Sequence, residues 1–166
     1  MDIDLKALLA HYLNQLDKML QQVPEEHFSA SLSADMFCLA TNARIAANFA
    51  LRGYCPLVGV EVVSFDKGSD DKSAVREQIS ATLGYLNKLP KLEALNKDVL
   101  LGEKAGFVEL SLPQPEFLHH YILPNFFFHI SMVYSIAKSV GIHLGKADFD
   151  GYHSYPAGFS WLKSSK

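Results

Sequence analysis

The sequence has little of what marks several large protein classes. It contains two cysteines, Cys38 and Cys55, which form neither a CxxC pair nor a zinc-type cluster, so a disulfide scaffold and a zinc-finger domain are excluded. With 15 Lys and Arg against 18 Asp and Glu, the net charge is −3, and no basic stripe is present to contact nucleic-acid phosphates. Long apolar runs are missing as well, because Pro124, Asn125 and His129 interrupt the most apolar stretch before it reaches membrane-spanning length.

Sequence motifs of common enzymes and of protein export are also missing. There is no GxSxG, no P-loop, no GxGxxG and no HExxH, and the acidic N-terminal stretch lacks the basic n-region of a secretory signal. The composition is 49% hydrophobic and 20% charged, the balance of a soluble globular protein. We therefore predict one domain over residues 1–166, located in the cytoplasm, without a membrane or nucleic-acid partner.

Four amphipathic helices are predicted from apolar residues that recur at spacings of three and four. They cover about residues 3–22, 34–52, 70–89 and 115–140. Asp2 or Asp4 suits the start of the first helix, whereas Ser33 is the expected N-cap of the second helix and Gly53 its C-terminal cap. Met36 is expected on the inward face of the second helix.

The segments between these helices carry three further predictions. Residues 53–69, which place Cys55 in a loop, form a long connection, and residues 98–112 contain two short apolar runs around GEKAG that indicate a hairpin. The tail after Gly141 is rich in glycine and aromatic residues, and we expect it to wrap over the helices as irregular structure. Together these elements predict an all-α four-helix bundle, whose long connections favour at least one overhand crossing.

The fourth predicted helix carries an amide and an imidazole inside an apolar stretch, LPNFFFHISMVY. Asn125 and His129 lie four residues apart, so a helix stacks them on one face. One interpretation is a buried polar network, in which Asn125 serves the carbonyl that Pro124 leaves without a donor and Tyr134 supplies a hydroxyl. The other is a ligand or metal site, because a helix can present two donors at this spacing to one ion.

The run LPNFFFHISMVYSIAKSVGIHLGKADF, residues 123–149, resembles a bacterial domain-of-unknown-function branch of the DinB/YfiT-like superfamily. The similar features are the Pro-Asn-Phe-aromatic-Phe-His stretch, a helix that ends in Gly, and the following Leu-Gly-Lys-x-Asp-Phe. This resemblance implies a four-helix bundle, often dimeric, and in many members a divalent metal held by three histidines. One of these histidines comes from the second helix, and two come from an HxxxH on the last helix.

When the three metal-binding histidines of the family are matched to this sequence residue by residue, one of the three is found. His129 matches the second histidine of the HxxxH motif, and Asn125 stands in place of the first. On the second helix, Asn42 is the nearest polar residue on the inner face. One imidazole and two amides bind zinc or nickel far more weakly than three imidazoles. The resemblance therefore implies an altered pocket, with His129 as the candidate ligand of a divalent metal such as zinc or nickel. The predicted pocket residues are Asn42, Asn125, His129 and Tyr134.

Two functions stay open at this point. In the first, the protein is a non-catalytic bundle with a degenerate pocket between helices 2 and 4, which binds a small molecule or forms a homodimer. Residues 126–128 are three phenylalanines that cannot all face one core, so some should contact the tail, the hairpin or a second subunit. In the second, the protein is a metal-dependent transferase or hydrolase of the DinB/YfiT-like type, with His129 as ligand or general base. The sequence does not decide whether the chain is an enzyme.

Overall fold

Helices dominate the fold, which the computed structural model describes over residues 4–162. The helices are α1 (Leu5–Gln22), α2 (Leu39–Leu57), α3 (Lys72–Lys88), α4 (Gln114–Glu116), α5 (Leu123–Ser139) and α6 (Lys146–Asp150), with a single 3-10 turn at Glu25–His27. Strands β1 (Leu100–Ala105) and β2 (Val108–Pro113) pair antiparallel as a hairpin between α3 and α4. The predicted bundle with long connections, a small hairpin and an irregular tail is therefore confirmed.

The start of α1 agrees with the predicted cap. The carboxylate of Asp4 accepts a hydrogen bond of 3.0 Å from the backbone N–H of Ala7, which satisfies one of the free donors at the helix start. The other candidate cap, Asp2, and the predicted first residue, Ile3, lie outside the described residues. The helix ends just before Pro24, whose ring lacks the N–H that a further turn would need.

The start of α2 differs from the prediction by five residues. Its N-cap is Cys38 rather than Ser33, and Met36, which we predicted on the inward face, is 39% exposed. The backbone N–H groups of Leu39 and Ala40 donate to the carbonyls of residues 30 and 28, at 2.8 and 3.0 Å. These bonds across the linker hold residues 33–38 as a loop, so the apolar pattern of this segment does not become helix.

The end of α2 is also later than predicted, because Gly53 is not a cap. Gly53 is buried inside the helix, and a Cβ placed on it would lie 2.3 Å from Cγ2 of Ile122. The glycine therefore permits two helical segments to touch, and the helix continues to Leu57. Cys55, predicted in a loop, is fully buried in this last turn, where Pro56 loses only one helical hydrogen bond.

The main packing contact of the bundle joins α2 to α5. The face of α2 in this core is rich in alanine, and Ala43, Ala46 and Ala50 are fully buried. Small side chains let the two helix axes approach closely. On α5 the facing apolar residues include Val133 and Ile136, which are also fully buried.

The fourth predicted helix is formed by three consecutive stretches, α4, a π-helical turn at Phe117–Ile122, and α5. In the π turn, the N–H of Leu123 donates to the carbonyl of Leu118, five residues earlier. Pro124 follows at once, and it has no N–H and would crowd a carbonyl of a regular preceding turn. The wider turn thus lies where the proline disturbs the helix, and the predicted extent of about 115–140 is confirmed.

The tail returns to α1 after Gly141, which ends α5 in a left-handed conformation with φ of +88°. The buried amide of Gln15 donates to the carbonyls of Ala147 and Asp148, at 3.3 and 3.2 Å. These bonds attach α6 to the first helix, as the predicted wrapping requires. Within residues 4–162, no helix is both long enough and apolar enough to cross a membrane.

Candidate ligand-binding site

A cavity of about 250 Å³ lies between the loop before α2, the first turns of α2 and the middle of α5. Two of its residues, Phe37 and Phe128, are 58% and 52% exposed and form the rim. Asn42 and His129 are 2% and 8% exposed and lie at the inner end. The lining residues are Asp35, Met36, Phe37, Asn42, Phe128, His129 and Met132.

The orientation of the Asn42 amide is set by backbone carbonyls. Its Nδ2 donates to the carbonyl oxygens of Phe37 and Cys38, at 3.1 and 2.9 Å. Carbonyl oxygens only accept hydrogen bonds, so the amide nitrogen must face them and the amide oxygen must point the other way. Both amide hydrogens are used in these two bonds. Asn42 therefore presents only an acceptor, Oδ1, to its remaining neighbour.

That neighbour is His129, and the contact decides the tautomer of its ring. Nδ1 of His129 lies 2.8 Å from Oδ1 of Asn42. Because the amide oxygen can only accept, Nδ1 carries the hydrogen and donates it. In the neutral ring, Nε2 then holds a lone pair. No residue within 4–162 hydrogen-bonds to Nε2, and the atom is not sealed from solvent.

The neutral form of His129 is favoured by its surroundings. Phe49 stacks on the imidazole with ring centres 5.9 Å apart. The guanidinium carbon of Arg52 lies over the ring of Phe49, 4.3 Å from its centre. Burial, and to a smaller extent the positive charge of Arg52, lowers the pKa of His129 from 6.5 to about 4. Near pH 7 the ring is therefore an uncharged hydrogen-bond acceptor.

Two of the four predicted pocket residues do not line this cavity. Asn125 is half-buried and its Nδ2 donates to the carbonyl of Tyr121 at 2.7 Å, within its own helical segment. Tyr134 is half-buried against the core. The structure thus brings Asn42 and His129 together and leaves the other two apart. The bond of Asn125 reaches the carbonyl of residue 121, four positions earlier, rather than that of residue 120.

The comparisons with known proteins agree with this architecture. A family described as a domain of unknown function (DUF1993) matches residues 4–150. The chain belongs to the DUF1993 family. The crystal structure of a DinB family member protein from Shewanella denitrificans is similar, with a TM-score of 0.78 and 23% identity over 93% of this chain and 94% of that chain. At this identity the likeness shows the fold alone, and this fold is the one that the DinB-like resemblance implied. No curated protein matches the chain.

The divalent metal that the resemblance implies does not fit the side chains of this DUF1993 protein. Among the described residues, no three His, Cys, Asp or Glu side chains come together as a metal site. Asn42, the nearest polar residue on the inner face of the second helix, uses its amide nitrogen on backbone carbonyls and its amide oxygen on His129. Nε2 of His129 is left as one imidazole ligand without partner ligands, and a lone imidazole is a weak site for zinc or nickel.

The three successive phenylalanines of the DUF1993 chain divide among different surroundings, as the helical geometry predicts. Phe126 is fully buried in the core. Phe127 meets Tyr12 of α1 edge-to-face with ring centres 4.8 Å apart. Phe128 stays at the cavity rim.

Sequence reasoning missed the residues around the cavity mouth and behind it. Asp35 and Phe37 belong to a segment that we predicted as helix, and nothing in its periodicity marks a rim. Arg52 was also missed, although it joins α2 to the hairpin and to the π turn. Its guanidinium donates to Glu103 at 3.2 Å and to the hydroxyl of Tyr121 at 3.0 Å. A lone arginine late in a helix carries no signal for such a role.

Proposed function

We propose that this DUF1993 protein binds a small, largely apolar molecule without catalysing a reaction on it, in the cavity between α2 and α5. The observation that carries the proposal is Nε2 of His129. It is an acceptor of known tautomer, it has no hydrogen-bonding partner within residues 4–162, and it lies at the inner end of an apolar cavity. Polar atoms in such positions are normally paired, with protein, with water or with a ligand.

The size of the cavity supports a ligand of one ring. A dry apolar cavity of about 150 Å³ holds benzene, and pockets for drug-sized ligands begin at about 300 Å³. A volume of about 250 Å³ therefore suits a single ring with a short polar arm. The methionine and phenylalanine side chains of Met36, Phe37, Phe128 and Met132 provide apolar contact for the ring. The arm would donate a hydrogen bond to Nε2.

The alternative, a metal-dependent transferase or hydrolase that uses His129, has less support. A general base works best when its pKa lies near the working pH, and that of His129 is lowered to about 4. The donor set around Nε2 also lacks the further ligands that hold a catalytic divalent metal. The same features are compatible with a ring that only accepts a hydrogen bond from a bound molecule.

We further propose that the protein is cytoplasmic and forms a homodimer. Cys38 and Cys55 are unpaired, which suits a reducing compartment. Leu100, Phe107 and Val108 of the hairpin expose more than half of their surface, and this apolar group suits contact with a second subunit.

The binding proposal is tested by NMR of protein labelled with 13C at the methionine methyl groups. Met36 and Met132 line the cavity, whereas Met19 is fully buried elsewhere in the core and serves as the internal reference. Titration with benzyl alcohol should shift the signals of Met36 and Met132 and leave that of Met19 in place. If neither cavity signal moves at millimolar benzyl alcohol, the proposal is wrong.

The role of Nε2 is tested with a matched pair of ligands. Toluene has the ring of benzyl alcohol without its hydroxyl donor, so it needs no acceptor. In the variant His129→Phe we expect weaker binding of benzyl alcohol and unchanged binding of toluene. An equal loss for both ligands would show that His129 only shapes the cavity. An unshifted Met19 signal in the variant shows that the core is intact.

A further inference from the structure

The polar groups that face the cavity indicate the chemistry of its ligand, and this inference rests on the proposed function. We propose that the cavity selects a small organic amine in its cationic form over neutral or anionic molecules of the same shape. The polar side-chain atoms that remain available to a ligand all accept hydrogen bonds, and one of them carries a negative charge.

The inner end of the cavity offers a lone pair and no donor. Both amide hydrogens of Asn42 are bound to backbone carbonyls, and its oxygen accepts from Nδ1 of His129. Nε2 of His129 is therefore the polar atom left for a ligand at this end. A carboxylate or phosphate would place its own lone pairs against this nitrogen, with no hydrogen between them.

The mouth of the cavity adds a negative charge. Asp35 lines the cavity and is exposed to solvent. The hydroxyl of Ser33 donates to one carboxylate oxygen, Oδ1, and the pKa of Asp35 is lowered by this bond, so the group is ionised near neutral pH. A carboxylate attracts a cation and repels an anion that approaches the same opening.

The apolar walls suit an organic cation better than a bare ion. Phe37 and Phe128 line the opening, and the face of an aromatic ring attracts a positively charged group. Met36 and Met132 contribute thioether sulfur atoms, which are polarisable and adapt to irregular ligands. A molecule with a ring and an ammonium group would therefore contact the walls with its ring and the acceptors with its N–H donors.

The nearby arginine does not reverse this preference. The guanidinium of Arg52 lies over the ring of Phe49, and Arg52 is not among the lining residues. Its guanidinium is paired with Glu103 at a nitrogen–oxygen distance of 3.2 Å. Its charge acts on the His129 ring only as the smaller of two causes that lower the pKa of that ring, and the pairing with Glu103 reduces it, whereas Asp35 lines the cavity directly.

The test compares three ligands of one shape, benzylamine, benzyl alcohol and benzoate, at neutral pH by the methionine-methyl titration. Charge-assisted hydrogen bonds are roughly twice as strong as neutral ones, so we expect benzylamine to bind about tenfold more tightly than benzyl alcohol. Benzoate should bind most weakly. In the variant Asp35→Asn the preference for benzylamine should shrink, because the carboxylate charge is lost while Nε2 of His129 still accepts from the ammonium group, and the affinity for benzyl alcohol should not change.

A matched control is Asp98→Asn, which makes the same charge change at an exposed residue that does not line the cavity. This variant should keep the preference for benzylamine. Equal affinities of benzylamine and benzyl alcohol in the unmodified protein would overturn the amine inference while the proposed function stands. Tighter binding of benzoate would also overturn it. If none of the three ligands shifts Met36 or Met132, the proposed function fails together with the inference.

Discussion

Protonation of His129 should destabilise the fold, and the size of this effect follows from its surroundings. The pKa is lowered from 6.5 to about 4 in the folded protein, first by burial and then by the charge of Arg52. Between these two values the unfolded chain binds a proton that the folded protein does not bind. The free energy of unfolding therefore rises with pH over this window, and it falls as the pH drops from about 6.5 to about 4.

The size of this change in the free energy of unfolding is set by the difference between the folded and unfolded pKa values of His129. Each pH unit between them corresponds to about 1.4 kcal/mol, so the full window amounts to about 3 kcal/mol. Other carboxylates and histidines titrate in the same range, so the stability of the protein alone is not a clean readout. The variant His129→Gln keeps a donor for Asn42 and does not titrate, and the difference between the two proteins isolates the histidine.

The assay is urea unfolding of both proteins at a series of pH values between about 7 and about 4. We expect the stability of the unmodified protein, relative to His129→Gln, to fall by about 3 kcal/mol over this series. Direct NMR titration of the His129 ring is an independent readout. The variant Arg52→Met should raise the pKa of His129 only part of the way to 6.5, because burial is the larger cause. A stability difference that does not change with pH would refute the reasoning.

Three further predictions concern packing, the hairpin and assembly. Gly53→Ala should destabilise the protein by about 1–3 kcal/mol in urea unfolding, because the added methyl group meets Ile122. In the control variant Gly84→Ala the methyl group meets nothing within 4 Å, so this change should stabilise helix α3 by up to about 1 kcal/mol. The reverse order of the two variants would contradict this assignment. Arg52→Ala should lower the free energy of unfolding by about 1–3 kcal/mol, because it removes charged hydrogen bonds to the hairpin. Hydrogen exchange should become faster in the hairpin first, and unchanged exchange there would contradict a stabilising role of Arg52. Light scattering should give the mass of a homodimer, and a strict monomer at high concentration would remove the dimer proposal.

Much of the secondary structure was predictable because its signals are local. Apolar residues at spacings of three and four mark the helices, and two short apolar runs around GEKAG mark the hairpin. Asp4 and Gly141 cap helices through bonds to residues three positions away. Such contacts depend on neighbouring residues only, so a single sequence contains them.

The errors at both ends of α2 have a different origin. The loop before α2 is held by backbone bonds from residues 39 and 40 to residues 30 and 28, across a connection that has no periodic pattern. At the other end, a glycine after an apolar stripe is typical of a helix cap, but Gly53 meets the side chain of Ile122 on a separate segment. Packing against a distant residue here overrides the local preference.

The amino-acid sequence by itself determined the helical stripes, the hairpin, the caps at Asp4 and Gly141, and the presence of one imidazole among apolar residues on the last long helix. Only the tertiary structure decided what that imidazole does. Asn42 and His129 are 87 positions apart, and their contact orients the amide, selects the ring tautomer and leaves Nε2 facing the cavity. The physical reason is that the helical period of the sequence indicates which side of a helix is apolar, whereas the partner of each side chain depends on how the packed helices are positioned against one another.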